Sequence, residues 1–133
     1  IKLSINHLMI NGQKSKSEKI ILRALKMLLK TRNPLKWVIV QAFINISPLF
    51  TFKSVRRGGK AFNVPFPIYK KRQLSLGLSW LVKDSRKSKS KDISQKIALQ
   101  FLSAFKNKGS IVEKRSLLHK EAKKARAFLH YRW

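Results

Sequence analysis

Apolar positions along this chain recur at intervals of three and four over most of its length and switch to alternation in one stretch near the middle. Leu3, Ile5, Leu8 and Met9 predict a first helix within residues 1–10, stopped by Asn11-Gly12, which both tolerate left-handed backbone angles. Lys14 to Glu18 reads as a polar connector with Ser17 as the cap of a second helix over 18–30. There Ile20, Ile21, Ala24, Leu25 and Leu28 make one stripe, and Lys19, Arg23, Lys26 and Lys30 make a cationic outer face. Asn33-Pro34 opens a third helix, as cap and first-turn residue, with Leu35, Val38, Ile39, Ala42, Phe43 and Ile46 inward and Ser47-Pro48 as its end.

The period then becomes two. Phe50 and Phe52 alternate with Thr51 and Lys53, and Phe62, Val64, Phe66 and Ile68 alternate over a longer run. Two strands around Gly58-Gly59 predict a β-hairpin over 49–68. Pro65 and Pro67 lack amide donors and make the second strand an edge. One hairpin cannot build a sheet core, so it is expected to project, at least at its basic tip.

Helix returns after Lys70-Lys71-Arg72, with Leu74, Leu78 and Leu81 on the buried side and Trp80 beside it. Gly77 inside that helix costs about 1 kcal/mol against Ala, which close packing of another helix would explain. Lys83 to Lys91 reads as a basic loop. Asp92 with Gln95 forms a capping-box pattern ahead of a fifth helix that buries Ile93, Ile97, Ala98, Phe101, Leu102 and Phe105 and closes at Gly109. A last helix over 114–133 carries Leu118, Ala122, Ala125 and Leu129 on one side. The predicted fold is mainly α, six helices in a bundle-like single domain over 1–133, with one hairpin between the third and fourth; no internal repeat is visible.

Composition fits one folded domain. A chain of 133 residues buries roughly two thirds of its unfolded surface, and 44% apolar residues supply a core. No run approaches the roughly 18 apolar residues of a membrane span. No signal-peptide pattern is visible either, and the sequence opens on Ile1, which leaves a preceding targeting segment an open matter.

Charge decides the functional class. There are 31 Lys and Arg against five acids, a net charge of +26. Self-repulsion of that size is relieved by a polyanion, and nucleic acid is the expected one. An anionic membrane is the weaker alternative, since the charge runs through helices and loops alike and is not gathered opposite one apolar face. Catalysis has little to work with. Glu18, Asp84, Asp92, Glu113 and Glu121 are scattered, and there is no cysteine. His7, His119 and His130 lack metal-ligand spacing and read as ordinary packing or surface histidines; no cofactor or metal is expected. Gly58-Gly59 is not followed by the Lys-Ser or Lys-Thr and helix of a nucleotide-binding loop.

The basic clusters carry the chemistry. Arg56, Arg57 and Lys60 crowd a turn that Gly58 and Gly59 let approach another backbone. Lys70, Lys71 and Arg72 open a helix, where free amides also favour phosphate. With Lys14, Lys16, Lys114 and Arg115 these are the candidate nucleic-acid contacts, made through phosphate. Arg126, His130, Tyr131, Arg132 and Trp133 set cations among rings able to stack on unpaired bases; the bland alternative is that Tyr131 and Trp133 pin the last helix to the core.

Several stretches resemble one family. Arg126-Ala127-Phe128-Leu129-His130-Tyr131-Arg132-Trp133 resembles the terminal R-A-x-A-H-Y-R-W of the small-subunit ribosomal protein seven family, with Leu129 replacing Ala. Gly58-Gly59-Lys60-Ala61-Phe62-Asn63-Val64-Pro65 resembles its G-G-x-x-Y-x-V-P hairpin, and Arg72 to Leu81 its R-Q-x-S-L-A-L-R-W-L. Ile5 to Gly12 is similar to the first-helix ending I-N-K-I-M-x-x-G, and Pro34-Leu35-Lys36 to a P-L-K at the third helix. The matches keep chain order over nearly all of the sequence. Departures are Ala122-Lys123-Lys124-Ala125 where the family has A-E-A-N, Ser79 where it often has Arg, and a start almost at the first helix, where bacterial members carry a basic arm.

The resemblance implies a structural constituent of the small ribosomal subunit, a primary rRNA binder that nucleates the head, the 3′ major domain. It implies a hairpin and C-terminal helix near exit-site tRNA and mRNA, so that Gly58, Gly59 and Arg126 to Trp133 are the residues nearest those ligands. It further implies small-subunit ribosomal proteins nine, eleven and thirteen as neighbours, without membrane or homo-oligomer. A free RNA chaperone or translational repressor is the alternative of another class. Lysine exceeds arginine, 22 to nine, and Ile, Phe, Asn and Ser are frequent, a bias of AT-rich genomes. With the absence of cysteine, it makes a mitochondrial ribosome the first expectation and a plastid or bacterial cytoplasmic one the second.

Overall fold

Each helix buries one side of its apolar repeat, and the fold follows from how those sides meet. The computed structural model describes residues 1–31, 33–87 and 92–132; Arg32, the 88–91 part of the expected basic loop, and Trp133 lie outside them. The order is α1 (Lys2–Leu8), α2 (Lys14–Leu29), α3 (Leu35–Ile46), β1 (Phe50–Arg57), β2 (Lys60–Pro67), α4 (Lys70–Lys87), α5 (Ile93–Phe105) and α6 (Ser110–Lys124), then a 3-10 segment (Ala125–Arg132). Among the described residues, six helices with an antiparallel hairpin between the third and fourth are as the periodicity predicts.

The central helix is α5, packed against α2, α3 and α4. Ile97, Ala98, Phe101 and Ala104 meet Ile21, Ala24 and Leu28 of α2, Ala42 and Ile46 of α3, and Leu81 and Val82 of α4 in one buried cluster. Phe43 meets Phe101 edge to face, centroids 5.7 Å apart. Asn45 of α3 donates from Nδ2 to the Ala104 carbonyl at 2.9 Å, which ties α3 to the last turn of α5. Gly77 has the close neighbour its position implied. A Cβ there would lie 3.0 Å from Ile46 Cγ2, and Ile46 is fully buried.

Helix ends depart from expectation. Helix α2 starts at Lys14, so Ser17 is not a cap; it is buried one turn in, where its Oγ donates to the Gln13 carbonyl at 3.2 Å. Pro34, not Asn33, holds the cap position of α3, and Asp92 caps α5 in place but without a side-chain hydrogen bond. Helix α5 ends at Phe105 through Asn107, not Gly109. Asn107 takes a positive φ of 55°, its amide donates to Ala104, and the next amide donates to Ser103, the two bonds of a Schellman stop. Gly109 instead sits at the start of α6, which begins four residues before the expected Lys114. Lys83 to Lys87 are helical, not loop: α4 runs on to Lys87, and its Ser85 is fully buried with Oγ donating to the Leu81 carbonyl at 2.8 Å. Leu74 is an outward residue, 37% exposed, rather than part of the buried side.

In the hairpin, Phe50 pairs with Pro67 and Arg57 with Lys60. Gly58 and Gly59 both have positive φ, 55° and 75°, which two-residue hairpins favour because their turn then twists with the strands. Val64 and Pro65 are buried at the base, while the tip stands in solvent with nothing within 4 Å of the space a Cβ would fill at either glycine.

Candidate nucleic-acid interface

The hairpin is held out from the helices by a clasp at its side. The 3-10 segment replaces the last stretch of the expected 114–133 helix, and it packs on β2. Phe62 lies 5.2 Å from the Phe128 ring and 5.1 Å from Tyr131. Arg132 donates from Nε and Nη2 to the Pro65 carbonyl, at 3.2 and 2.8 Å, and its guanidinium sits 5.3 Å from the Phe66 centroid. Proline supplies no donor there but keeps its acceptor, and the forked Arg uses it twice.

The clasp continues into α6. His119 accepts the Leu49 amide on Nε2 at 3.1 Å and meets Phe50 edge to face. A histidine that accepts must be neutral, and its pKa is held below the ordinary value first by burial, then by the Arg115 and Lys123 charges. Beside it runs a groove of about 420 Å³ walled by Leu49, Phe50, Lys123, Arg126 and Leu129.

Onto this frame the candidate cations fall in separate groups. Arg56, Arg57 and Lys60 are exposed together at the tip, where Arg57 faces Lys60 in register. Lys70, Lys71 and Arg72 are exposed on the first turn of α4, at the opposite end of the hairpin, roughly 25 Å away at a strand rise of about 3.3 Å per residue. Lys14 and Lys16 stand on the first turn of α2, and Lys16 shares a hollow with Arg86 near the other end of α4. Lys14 lies 4.0 Å from Glu18, an exposed i,i+4 pair.

Four candidates serve the fold as well. Lys114 lies over the Trp80 ring at 5.0 Å. Arg115 is half-buried and donates from Nη1 to the Asn45 carbonyl at 3.2 Å. Arg132 grips Pro65, and Tyr131 stacks parallel to Phe128 with centroids 6.1 Å apart and reaches Phe62, so Tyr131 ties this segment to the hairpin rather than to the core, while Trp133 lies outside the described residues. Arg126 and His130 remain exposed, and His130 lies 4.1 Å from Tyr131. His7 bonds Ser75 Oγ at 3.0 Å, a packing role. Asp84 is likewise structural, accepting from Ser110 at 2.6 Å and Gln100 at 3.1 Å.

Sequence reasoning passed over Lys53, exposed on β1 with its ammonium 4.9 Å from the Phe66 ring, and Arg86, whose Nη2 donates to the Leu8 carbonyl at 3.0 Å. A usable signal for Lys53 was the spacing of the acids. From Lys19 to Lys83 the sequence holds 14 Lys and Arg and no acid at all, so nothing within this span can neutralise the hairpin. No helix of the described residues is long and apolar enough to cross a membrane.

Known proteins resemble this chain over nearly its whole length. A family model described as ribosomal protein S7p/S5e matches residues 1–126. Among curated relatives, the chain is 37% identical to the small ribosomal subunit protein uS7 of Kosmotoga olearia over 130 residues, 97% of this chain and 84% of the relative. It is 40% identical to the uS7 proteins of Wigglesworthia glossinidia brevipalpis and Thermodesulfovibrio yellowstonii, over 97% of this chain and 83% of each.

Proposed function

The chain belongs to the ribosomal protein S7p/S5e family, whose members are structural and not enzymatic, and from that premise we propose that it is an rRNA-binding constituent of the small ribosomal subunit. Its partner is the 3′ major domain, whose folding it nucleates in the head. Affinity comes chiefly from phosphates neutralised by Lys and Arg, with release of condensed counterions. Specificity comes from shape, since A-form RNA offers side chains little sequence in its deep groove and a rigid frame reads a folded junction.

The single observation that carries this is the projecting tip. Arg56, Arg57 and Lys60 share a two-glycine turn, clasped at its side, within a span free of acids. The tip and the exposed Arg126 and His130 lie nearest exit-site tRNA and mRNA in this reading. Small-subunit ribosomal proteins nine, eleven and thirteen are the neighbours. The uS7 relatives named above are bacterial, so placement in a mitochondrial ribosome rests on composition alone; the genome that carries the gene tests it.

The experiment is an affinity series across salt for the isolated head-domain rRNA junction, with the Arg56→Ala, Arg57→Ala double variant alongside. Each lost phosphate contact lowers the log–log slope by roughly 0.7–0.9, so the double variant is expected to bind more weakly with a slope shallower by about 1.4–1.8. Equal slopes, or equal affinity for unrelated duplexes, would count against the proposal. Co-sedimentation with small subunits at moderate salt separates it from a repressor acting off the ribosome.

A further inference from the structure

Tyr69 is 90% exposed, the most solvent-open large apolar side chain among the described residues. Burying a ring of that size stabilises a fold by roughly 1.5–3 kcal/mol, and here none of that is used. Yet its backbone is fixed. The Tyr69 carbonyl accepts the Arg72 and Gln73 amides at 2.9 and 3.0 Å, which starts α4, and the preceding Ile68 amide donates to Leu49 at 3.1 Å, which closes the hairpin. The ring therefore stands on a rigid junction between two elements, free in itself but set in place at its root.

Around it is an open basin of about 720 Å³, within the roughly 300–1,000 Å³ that holds a drug-sized ligand. Thr51 and Lys53 of β1, Phe66 of β2 and Arg72 of α4 share its walls with Tyr69. Lys53 is held over Phe66, and Lys70 and Lys71, which follow Tyr69 in the chain, are exposed. A stackable face, a hydroxyl and flanking cations in one concavity match an unpaired nucleotide: the ring takes the base, and the cations take the phosphates on either side. A duplex offers no free base face, and a lone phosphate has no use for the ring.

We propose that Tyr69 and the basin walled by Thr51, Lys53, Phe66 and Arg72 form a stacking site for a single unpaired nucleotide of bound RNA. The site rests on the RNA-binding reading above and adds to it a preference for unpaired over paired RNA at this one place. It lies at the base of the hairpin, apart from the tip cluster that the salt series addresses.

The test compares wild type, Tyr69→Leu and Tyr69→Trp in the full chain at one fixed salt concentration. Three probes are used: a short oligoadenylate, a ribose-phosphate strand of the same length lacking bases, and an RNA duplex with the same number of phosphates. Base–aromatic stacking predicts a loss of roughly 5- to 100-fold for Tyr69→Leu on the oligoadenylate alone, with duplex and baseless strand unchanged, and retained or tighter binding for Tyr69→Trp. Equal thermal midpoints show that the exposed substitutions leave the fold intact; should they differ, Tyr69→Phe, which keeps the ring, must restore both midpoint and affinity. Unchanged oligoadenylate affinity in Tyr69→Leu, or an equal loss on all three probes, overturns the proposal. Failure of the RNA-binding reading looks different: wild type itself would show no preference for the head-domain junction, whatever stands at position 69.

Discussion

His119 stands where a proton is unwelcome. Burial comes first, and the Arg115 and Lys123 charges come second; all three hold its pKa below 6.5. Arg126 and Arg132 line the same groove and bring no compensating negative charge. Its Nε2 is also occupied as an acceptor of the Leu49 amide, a role the imidazolium cannot play. The sign follows directly. The unfolded chain takes up this proton near pH 6.5, and the folded chain only below that. The stabilisation is therefore fully present above about 6.5 and is lost as pH falls through the lowered folded value. Urea midpoints followed downward from neutral pH should decline more steeply in wild type than in His119→Gln, which keeps an acceptor but does not titrate. Parallel curves would show that this ring contributes nothing to the pH dependence. The sequence marked His119 only as an ordinary histidine, because its partner lies 70 residues away. Gly77 was more legible. A glycine inside a helical repeat already implies a close neighbour, and Ile46 is that neighbour.

Among the elements, order and type were legible and ends were not. Apolar spacing at three and four marks the six helices of the described residues, and alternation around Gly58-Gly59 marks the hairpin. Ser17 and Asn33 have cap chemistry but their helices start elsewhere, with Gln13 and Pro34 at the cap positions, while Asp92 marks the start of α5 without a side-chain hydrogen bond. The 3-10 segment was hidden behind an α-helical pattern. Leu118, Ala122, Ala125 and Leu129 follow the four-three-four spacing of an α-helix, whereas the segment packs on Phe62 through Phe128 and Tyr131, three apart. Eight residues exceed the usual run of about 3–4, and tertiary contacts hold them. Residues three apart eclipse in this geometry, which puts Phe128 and Tyr131 in parallel stack, and both reach Phe62. Arg132 fastens the end of it. Arg132→Ala should speed amide hydrogen exchange in β2 by the loss of about 1.5–3 kcal/mol of local protection, the range for hydrogen bonds to a charged group. Arg132→Lys should fall between, since an ammonium lacks the planar fork that meets Pro65 twice. Exchange unchanged in Arg132→Ala would mean that the rings alone hold the clasp.

At the scale of the molecule, charge sets stability and function against each other. Five acids cannot neutralise 31 cations, and the exposed Lys14–Glu18 pair at 4.0 Å is worth little. The free chain therefore folds against its own repulsion, which acts over about 10 Å at 0.1 M salt and less as salt rises. Salt should raise its melting temperature, the reverse of what a protein held together by surface ion pairs would show. For a chain of this length each ~1 kcal/mol of relieved repulsion moves the midpoint by about 3–6 °C. RNA acts on the same term from the other side: it stabilises the fold by binding it, and salt weakens that binding. Two melting series across salt, one with head-domain rRNA and one without, should thus converge, the free chain climbing and the bound chain losing its advantage. A free-chain midpoint that stayed flat or fell with salt would show that the cations are already neutralised within the fold, leaving RNA no repulsion to relieve.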